Sequence, residues 1–203
     1  MLVGKRMTKD LVTATPEDLL IQARLKMQKG SFRRLPVMSD GQLVGIITDR
    51  DIQQHIGLLD RTEVKAAMSK KPITVTPGTT VETAAQILLK EKIGGLPVVE
   101  KGRLVGMIAT SDILQAFLDV MGASEETSMR IDFVLQDEGG GLAEASRIIA
   151  QEGGEVLGVG TYRGKWGETP VCYLRLRSGD ADAIAKLLKE RGFDVLGVHA
   201  VGA

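Results

Sequence analysis

Two aspartates, Asp51 and Asp112, carry most of the chemistry this sequence offers. They close the stretches Gly45-Ile46-Ile47-Thr48-Asp49-Arg50-Asp51 and Gly106-Met107-Ile108-Ala109-Thr110-Ser111-Asp112. A carboxylate so placed can accept hydrogen bonds from two hydroxyls of a diol, and charge-assisted bonds of this kind are stronger than neutral ones. The Thr48 hydroxyl and the amides that open the next helix offer a seat for an anion. The same residues also have a plainer use. Thr48-x-x-Asp51 ahead of an apolar helix is a capping box, which serves the helix and needs no ligand. In the second stretch Ala109 takes the threonine's place, Thr110 follows one position later, and Asp112 keeps its register. A capping requirement alone does not explain an acid retained without its threonine. Arg33-Arg34 and Arg50 read by themselves as solvated surface arginines; Gly94-Gly95 stand where the second stretch would carry the arginine pair.

The correspondence between the two aspartates extends over a long segment. Residues 7–52 shifted by 61 positions lie over 68–113 without a gap, and 17 of the 46 aligned positions are identical. The matches include Thr15-Pro16 over Thr76-Pro77, Leu35-Pro36-Val37 over Leu96-Pro97-Val98, and Gly41-x-Leu43-Val44-Gly45 over Gly102-x-Leu104-Val105-Gly106. A short unit that cannot bury its own apolar face gains a core by packing on a copy of itself. Two such copies create two quasi-equivalent clefts. That geometry points to small-molecule binding more than to chemistry.

Each repeat reads as strand, helix, strand, tight turn, strand, helix. In the first, 12–15 is a short β-prone run, and Pro16 starts a helix to about residue 29, with Leu19, Leu20, Ala23 and Met27 at helical spacing. Strands 35–38 and 43–48 flank the turn residues Ser39-Asp40-Gly41, and a helix covers 49–58. The second repeat predicts a strand at 73–75, a helix at 79–90, strands at 96–99 and 104–108, and a helix at 110–121. The pattern changes around 122–128. Beyond it come a strand at 129–136, a helix at 142–151, strands at 156–163 and 171–177, a helix at 181–191 and a strand at 193–201. That order, βαββαβ, is that of a ferredoxin-like sandwich. The expected fold class is therefore α/β in the α+β sense. A doubled unit occupies 1–122, with repeats at about 7–60 and 68–121, and a second domain occupies 129–203.

Composition narrows the functions. The chain has 203 residues, with 26 Lys plus Arg balancing 26 Asp plus Glu, which gives no global pull towards nucleic acid or an anionic membrane. No apolar run approaches the roughly 18–20 residues needed to span a bilayer, and a signal-peptide core is absent from the first residues. A single cysteine fits a reducing cytoplasm. Cys172 shares a strand face with Leu174 and Leu176 and is expected as a buried small hydrophobe. Two distant histidines make a His/Cys metal site an unattractive reading, and one Trp, two Tyr and four Phe are too few for stacking on single strands. No nucleophile–base pair or paired catalytic acids emerge, so no catalytic residue or cofactor is assigned. Gly139-Gly140-Gly141 lacks the spacing of a dinucleotide fingerprint, and Gly164-Lys165-Trp166 lacks that of a P-loop.

The doubled segment resembles a pair of cystathionine-β-synthase (CBS) motifs, a module that in its family binds adenosine-containing ligands and regulates attached or partner proteins. The resemblance implies that Asp51 and Asp112 hold ribose hydroxyls, with Thr48 and Thr110 beside the phosphates. It implies that Val12-Thr13-Ala14 and Ile73-Thr74-Val75 flank an adenine, with Pro36 and Pro97 close by, and that Arg34 and Arg50 reach phosphate; short buried strands are the alternative for the apolar segments. Residues 129–203 are similar to an ACT domain, whose effector loop corresponds here to Asp137-Glu138-Gly139-Gly140-Gly141-Leu142, without the family's proline. A pure dimerisation role for that half is the alternative. The order of the two parts is similar to acetoin-utilisation (AcuB-type) regulatory proteins.

What the resemblances imply is a cytoplasmic, homodimeric, non-catalytic sensor. Its ligand is AMP, ADP, ATP or S-adenosylmethionine, its partner an unknown protein regulated in trans, and an amino acid is a candidate effector of the second half. A ligand-free oligomerisation adaptor is the alternative, with an enzyme or a DNA-binding regulator behind it.

Overall fold

The computed structural model describes residues 1–124, 127–134, 141–164 and 169–201. Its contacts divide the chain into two compact units, Met1–Leu114 and Gln115–Ala203.

In the first unit, repeat one contributes α1 (Leu20–Gly30), β1 (Arg34–Ser39), β2 (Gln42–Thr48) and α2 (Asp49–Gln53). The connecting segment contributes α3 (Val64–Ala67) and β3 (Ser69–Lys70). Repeat two contributes α4 (Val81–Glu91), β4 (Gly95–Glu100), β5 (Arg103–Ala109) and α5 (Thr110–Val120). The division at Leu114 falls within α5. Both hairpins are antiparallel, with register shifts at the equivalent steps Val37/Met38 and Val98/Val99. Asp40-Gly41 and Lys101-Gly102 take positive φ at both central turn positions, the hairpin geometry whose twist matches the strands it joins.

The sequence missed a reciprocal exchange between the repeats. Residues 2–8 complete repeat two, and the 61-residue-shifted segment 63–69 completes repeat one. Leu2 bridges Thr80 and Thr8 bridges Met107, while Glu63 bridges Leu19 and Ser69 pairs with Ile46. Val3 and Val64 are both fully buried. Gly45 and Gly106 permit the approach: a Cβ would stand 2.6 Å from Met68 Sδ in the first case and 2.5 Å from Met7 Sδ in the second. Both segments are too short and too polar to announce themselves as elements.

Three expectations need correction. The β-prone runs at 12–15 and 73–75 are single parallel bridges, Ala14 to Val37 and Val75 to Val98. Pro16 and Pro77, without an N–H, turn the chain away after one pair. The first helix begins at Leu20 and not at Pro16, because the Asp18 carboxylate holds the Thr15 N–H at 3.1 Å in a turn and Gln22 Oε1 accepts the Leu19 N–H at 2.8 Å. The helix expected at 49–58 ends at Gln53, and Gly57 at φ 95° reverses the chain.

The second unit contains β6 (Ser128–Val134), α6 (Gly141–Gln151), β7 (Glu155–Tyr162), β8 (Val171–Ser178), α7 (Ala181–Glu190) and β9 (Val195–Val201). Its sheet order is β7-β8-β6-β9, antiparallel throughout, as in the ferredoxin-like sandwich. Ile131, Phe133, Cys172, Leu174 and Leu176 form the sheet's contribution to a core with Ile148, Ile149, Ile184 and Leu188 of the helices. Cys172 is fully buried and burial pushes its thiol up, as a small hydrophobe requires. The last turn of α5 belongs here: a Cβ on Gly158 would lie 2.7 Å from the Met121 carbonyl oxygen. That packing explains why the division precedes residues 122–128, where the end of the repeat pattern put the boundary.

Candidate functional site: a cleft between the repeats

Within the first unit a cavity of about 640 Å³ is lined by residues of both repeats. Repeat two supplies Ala109, Thr110 and Asp112 where β5 turns into α5, and repeat one supplies Arg33, Arg34 and Pro36 from the start of β1. The entering chain supplies Thr8, Asp10, Leu11 and Val12.

Asp112 occupies the first turn of α5, and its Oδ2 accepts the Ala109 N–H at 2.7 Å. Ala109 brings no hydroxyl to it. Thr110 donates both its N–H (3.2 Å) and its hydroxyl (3.3 Å) to the Gly94 carbonyl. The equivalent corner of repeat one is more fully engaged. Asp51 Oδ2 accepts the Thr48 N–H at 2.8 Å and the Thr48 hydroxyl at 2.6 Å, while the Asp51 N–H donates to Thr48 Oγ1 at 3.3 Å. That is a complete capping box.

Arg34 crosses from β1 onto Gly94-Gly95, the positions equivalent to the arginine pair. A Cβ on Gly95 would stand 2.7 Å from Arg34 Nη1, and a Cβ on Gly94 would run into Arg34 Nη2. Burial pushes the guanidinium below its ordinary range, Arg33 adds to this, and Asp112 opposes it. Among the described residues no acceptor is recorded for Arg34.

Of the residues singled out in the sequence, Val12, Arg33, Arg34, Pro36, Thr110 and Asp112 line this cavity together. Thr13, Ala14, Thr48, Arg50, Asp51, Ile73, Thr74, Val75 and Pro97 are not among its lining residues. Ala14, Val75 and Pro97 are buried, Arg50 and Ile73 are exposed, and the Thr13 carbonyl accepts Lys26 Nζ at 3.0 Å. Sequence reading overlooked Ser31 and Phe32 in the lining. Their signal is indirect: Ser31 takes φ 54° to end α1 and delivers the next residues to the cleft.

In the second unit, Asp137, Glu138, Gly139 and Gly140 of the expected effector loop lie outside the described residues. Gly141 opens α6 and Leu142 is exposed. A polar cluster that sequence reading also missed lies on the sheet face away from the helices. Arg130 holds Asp132 through two bonds (2.6 and 3.0 Å), and the Tyr162 hydroxyl donates to Asp132 at 3.1 Å. Its trace is the alternation of Arg130 and Asp132 with core Ile131 and Phe133.

The CBS-domain family profile matches residues 3–57 and 63–119, and the chain belongs to that family. A CBS domain-containing protein of Dictyostelium discoideum is 34% identical over 60% of this chain and 94% of its own. An inosine-5′-monophosphate dehydrogenase of Korarchaeum cryptofilum is 40% identical, but over 52% of this chain and 22% of the enzyme. Among solved structures, the CBS domain pair of protein MJ0100 in complex with 5′-methylthioadenosine and S-adenosyl-L-methionine is 29% identical. Its TM-score is 0.54 over 58% of this chain and 95% of that one. CBSX2 in complex with AMP is 30% identical, with a TM-score of 0.51 over 58% of this chain and 96% of that one.

Proposed function

We propose that this protein is a non-catalytic regulatory sensor that binds an adenosine-containing ligand (AMP, ADP, ATP or S-adenosylmethionine) in the cleft holding Asp112. The observation that carries the reading is a carboxylate that, among the described residues, accepts one hydrogen bond, from the Ala109 N–H, in a cavity of about 640 Å³, a size suited to a nucleotide-like ligand. Asp112 would hold the ribose hydroxyls and Val12 would flank the base. The complexes of MJ0100 and CBSX2 named above support the ligand class. Asp51 with Thr48 and Arg50, together with Ile73, Thr74, Val75 and Pro97, would form the second, quasi-equivalent site.

The ligand would act in the cytoplasm on a homodimer that regulates a partner protein in trans, by favouring one arrangement of repeats and subunits. Such a shift is limited to the ligand's differential affinity for the two states. The second unit would serve as an ACT-type module, as a dimerisation module that binds nothing or else with an amino-acid effector, in an arrangement of the acetoin-utilisation type. Calorimetric titration with the four ligands tests the reading. Saturable binding that is lost in Asp112→Ala is the expected result, while silence from all four leaves a ligand-free adaptor, the reading that the closed Thr48–Asp51 box favours.

A further inference from the structure

Two arginines lie side by side on the sheet face of the second unit that points away from its helices, and their side chains are engaged very differently. Strands β6 and β8 set Arg130 opposite Arg175, and β9 continues the row with His199 opposite Arg130. Like charges directly opposite on one sheet face are destabilising, so this row calls for compensation. Arg130 has it. Its side-on fork, Nε with Nη2, grips Asp132 at 2.6 and 3.0 Å. Its guanidinium also lies 4.7 Å from the Tyr173 ring centre and 5.3 Å from that of Tyr162.

Arg175 does not. It is 3% exposed, and among the described residues it meets one acceptor, the Ser128 hydroxyl, which takes Nη1 at 3.0 Å. Its Nε is buried without an acceptor, so the fork that Arg130 turns on a carboxylate is unused in its neighbour. Burial pushes the Arg175 guanidinium below its ordinary range and Arg130 adds to this, while Tyr173 and Asp132 oppose it. Asp132 does not serve both arginines: two of its bonds come from Arg130, and the Tyr162 hydroxyl adds a third at 3.1 Å. A desolvated cation of this kind is costly unless an anion meets it.

The row grades from inside to outside. At its inner end β7 sets Gly158 opposite Arg175, and the Met121 main chain packs where a Cβ would stand. At its outer end the His199 side chain is 57% exposed, and the Arg130 side chain, at 21%, lies between. A ligand reaches Arg175 from the His199 side, past Arg130. That depth suits a small molecule better than the surface of a folded partner.

We propose that this row binds the carboxylate of a small molecule, held side-on by Arg175 Nε and Nη2 as Asp132 is held by Arg130, with His199 at the entrance. A planar guanidinium fork matches a planar carboxylate bidentately. Asp132 is already filled and leaves nothing for an ammonium group, so a plain carboxylate is preferred over an amino acid. The site is separate from the loop at 137–142 and does not rest on the adenosine cleft.

The test is titration of the full chain with succinate, L-aspartate and inorganic phosphate, read by calorimetry and by the arginine Nε–H resonances of isotope-labelled protein. Succinate should saturate in roughly the millimolar range and move the Arg175 Nε–H signal, which is assigned by its disappearance in Arg175→Lys. L-Aspartate, the same carbon chain with an amine added, should bind at least about threefold more weakly, and phosphate should also be weaker than succinate. Arg175→Lys keeps the charge without the fork and should weaken succinate about tenfold. His199→Gln, at the exposed end, should weaken it about two- to threefold with an unchanged melting temperature. An Arg175 signal that stays still at about 50 mM succinate overturns the proposal in the wild type alone, whether or not the lysine variant folds. Succinate binding that persists unchanged in Arg175→Lys places the carboxylate elsewhere and overturns it too. L-Aspartate or phosphate binding as tightly as succinate overturns the assignment to a plain carboxylate.

Discussion

Asp51 and Asp112 stand at the same register of two copies of one unit, each closing a strand-to-helix corner, yet their carboxylates are differently engaged. Asp51 takes an amide and a hydroxyl from Thr48 and returns a hydrogen bond to it. Asp112 takes one amide, from Ala109. The amide contact at the helix start is kept in both copies even where the threonine is gone, so, contrary to the expectation from sequence, capping by itself accounts for the retained acid. The hydroxyl is the variable part, and it decides how much of the carboxylate remains for a donor from outside. Beside these corners the copies diverge again, with Arg33-Arg34 against Gly94-Gly95, and there the change in one repeat makes room for the other. Duplication preserved the acid's position, and small changes around it made two unlike corners.

The largest effect is expected from exchanging the roles of the two acids. Asp112→Ala should weaken the adenosine ligand on the order of 100-fold, the loss of two hydrogen bonds to a charged group, whereas Asp51→Ala should leave the tightest binding step within a few-fold. Equal losses in the two variants would show that the capping box does not withdraw Asp51 from ligand. A finer probe grafts the missing hydroxyl. Ala109→Thr should give Asp112 the partners Asp51 has and cost about tenfold in affinity; no change in affinity would mean that the hydroxyl is not what separates the corners. The reverse change, Thr48→Ala, should destabilise the fold by about 1 kcal/mol in a urea melt through loss of the cap.

The sequence made the repeat, its hairpins and both acids visible because these depend on local signals. The Asp40-Gly41 and Gly102 turns need positive φ, and the acids keep their spacing from a glycine-led strand. What it hid was whatever depends on contact across the repeats. Residues 2–8 carry no periodicity, and their role as the missing piece of repeat two becomes evident only from the pairing of Thr8 with Met107. The destination of Arg34 was hidden for the same reason: the residues that receive it, Gly94 and Gly95, are 60 positions away and advertise themselves only by lacking side chains. The polar cluster around Asp132 was legible as alternation in β6, but not its closure by Tyr162 from β7, a strand that reaches it only across β8.

The smallest expected effect separates the repeats by pH. At the entrance to α1, Asp18 Oδ2 accepts the Thr15 N–H at 3.1 Å and pairs with Lys26 Nζ at 2.6 Å. Burial alone raises the Asp18 carboxyl, but the bonds from Lys26 and Thr15 outweigh it and hold the group below its ordinary value of 3.8. In repeat two the equivalent residue is Thr79, whose hydroxyl oxygen accepts the Thr76 N–H at 3.0 Å and does not titrate with acid. A depressed carboxyl contributes stability that is present above the unfolded-state value and lost as pH falls through the folded one. Repeat one should therefore weaken below about pH 4 by on the order of 1 kcal/mol or less, since the pair is partly exposed. Asp18→Thr copies repeat two into repeat one and should remove this increment. The check is the difference in urea midpoint between pH 5 and pH 3 for the two proteins. A wild type that loses no more than the variant over that interval would show that the Asp18–Lys26 pair adds nothing that the neutral hydroxyl of repeat two does not already supply.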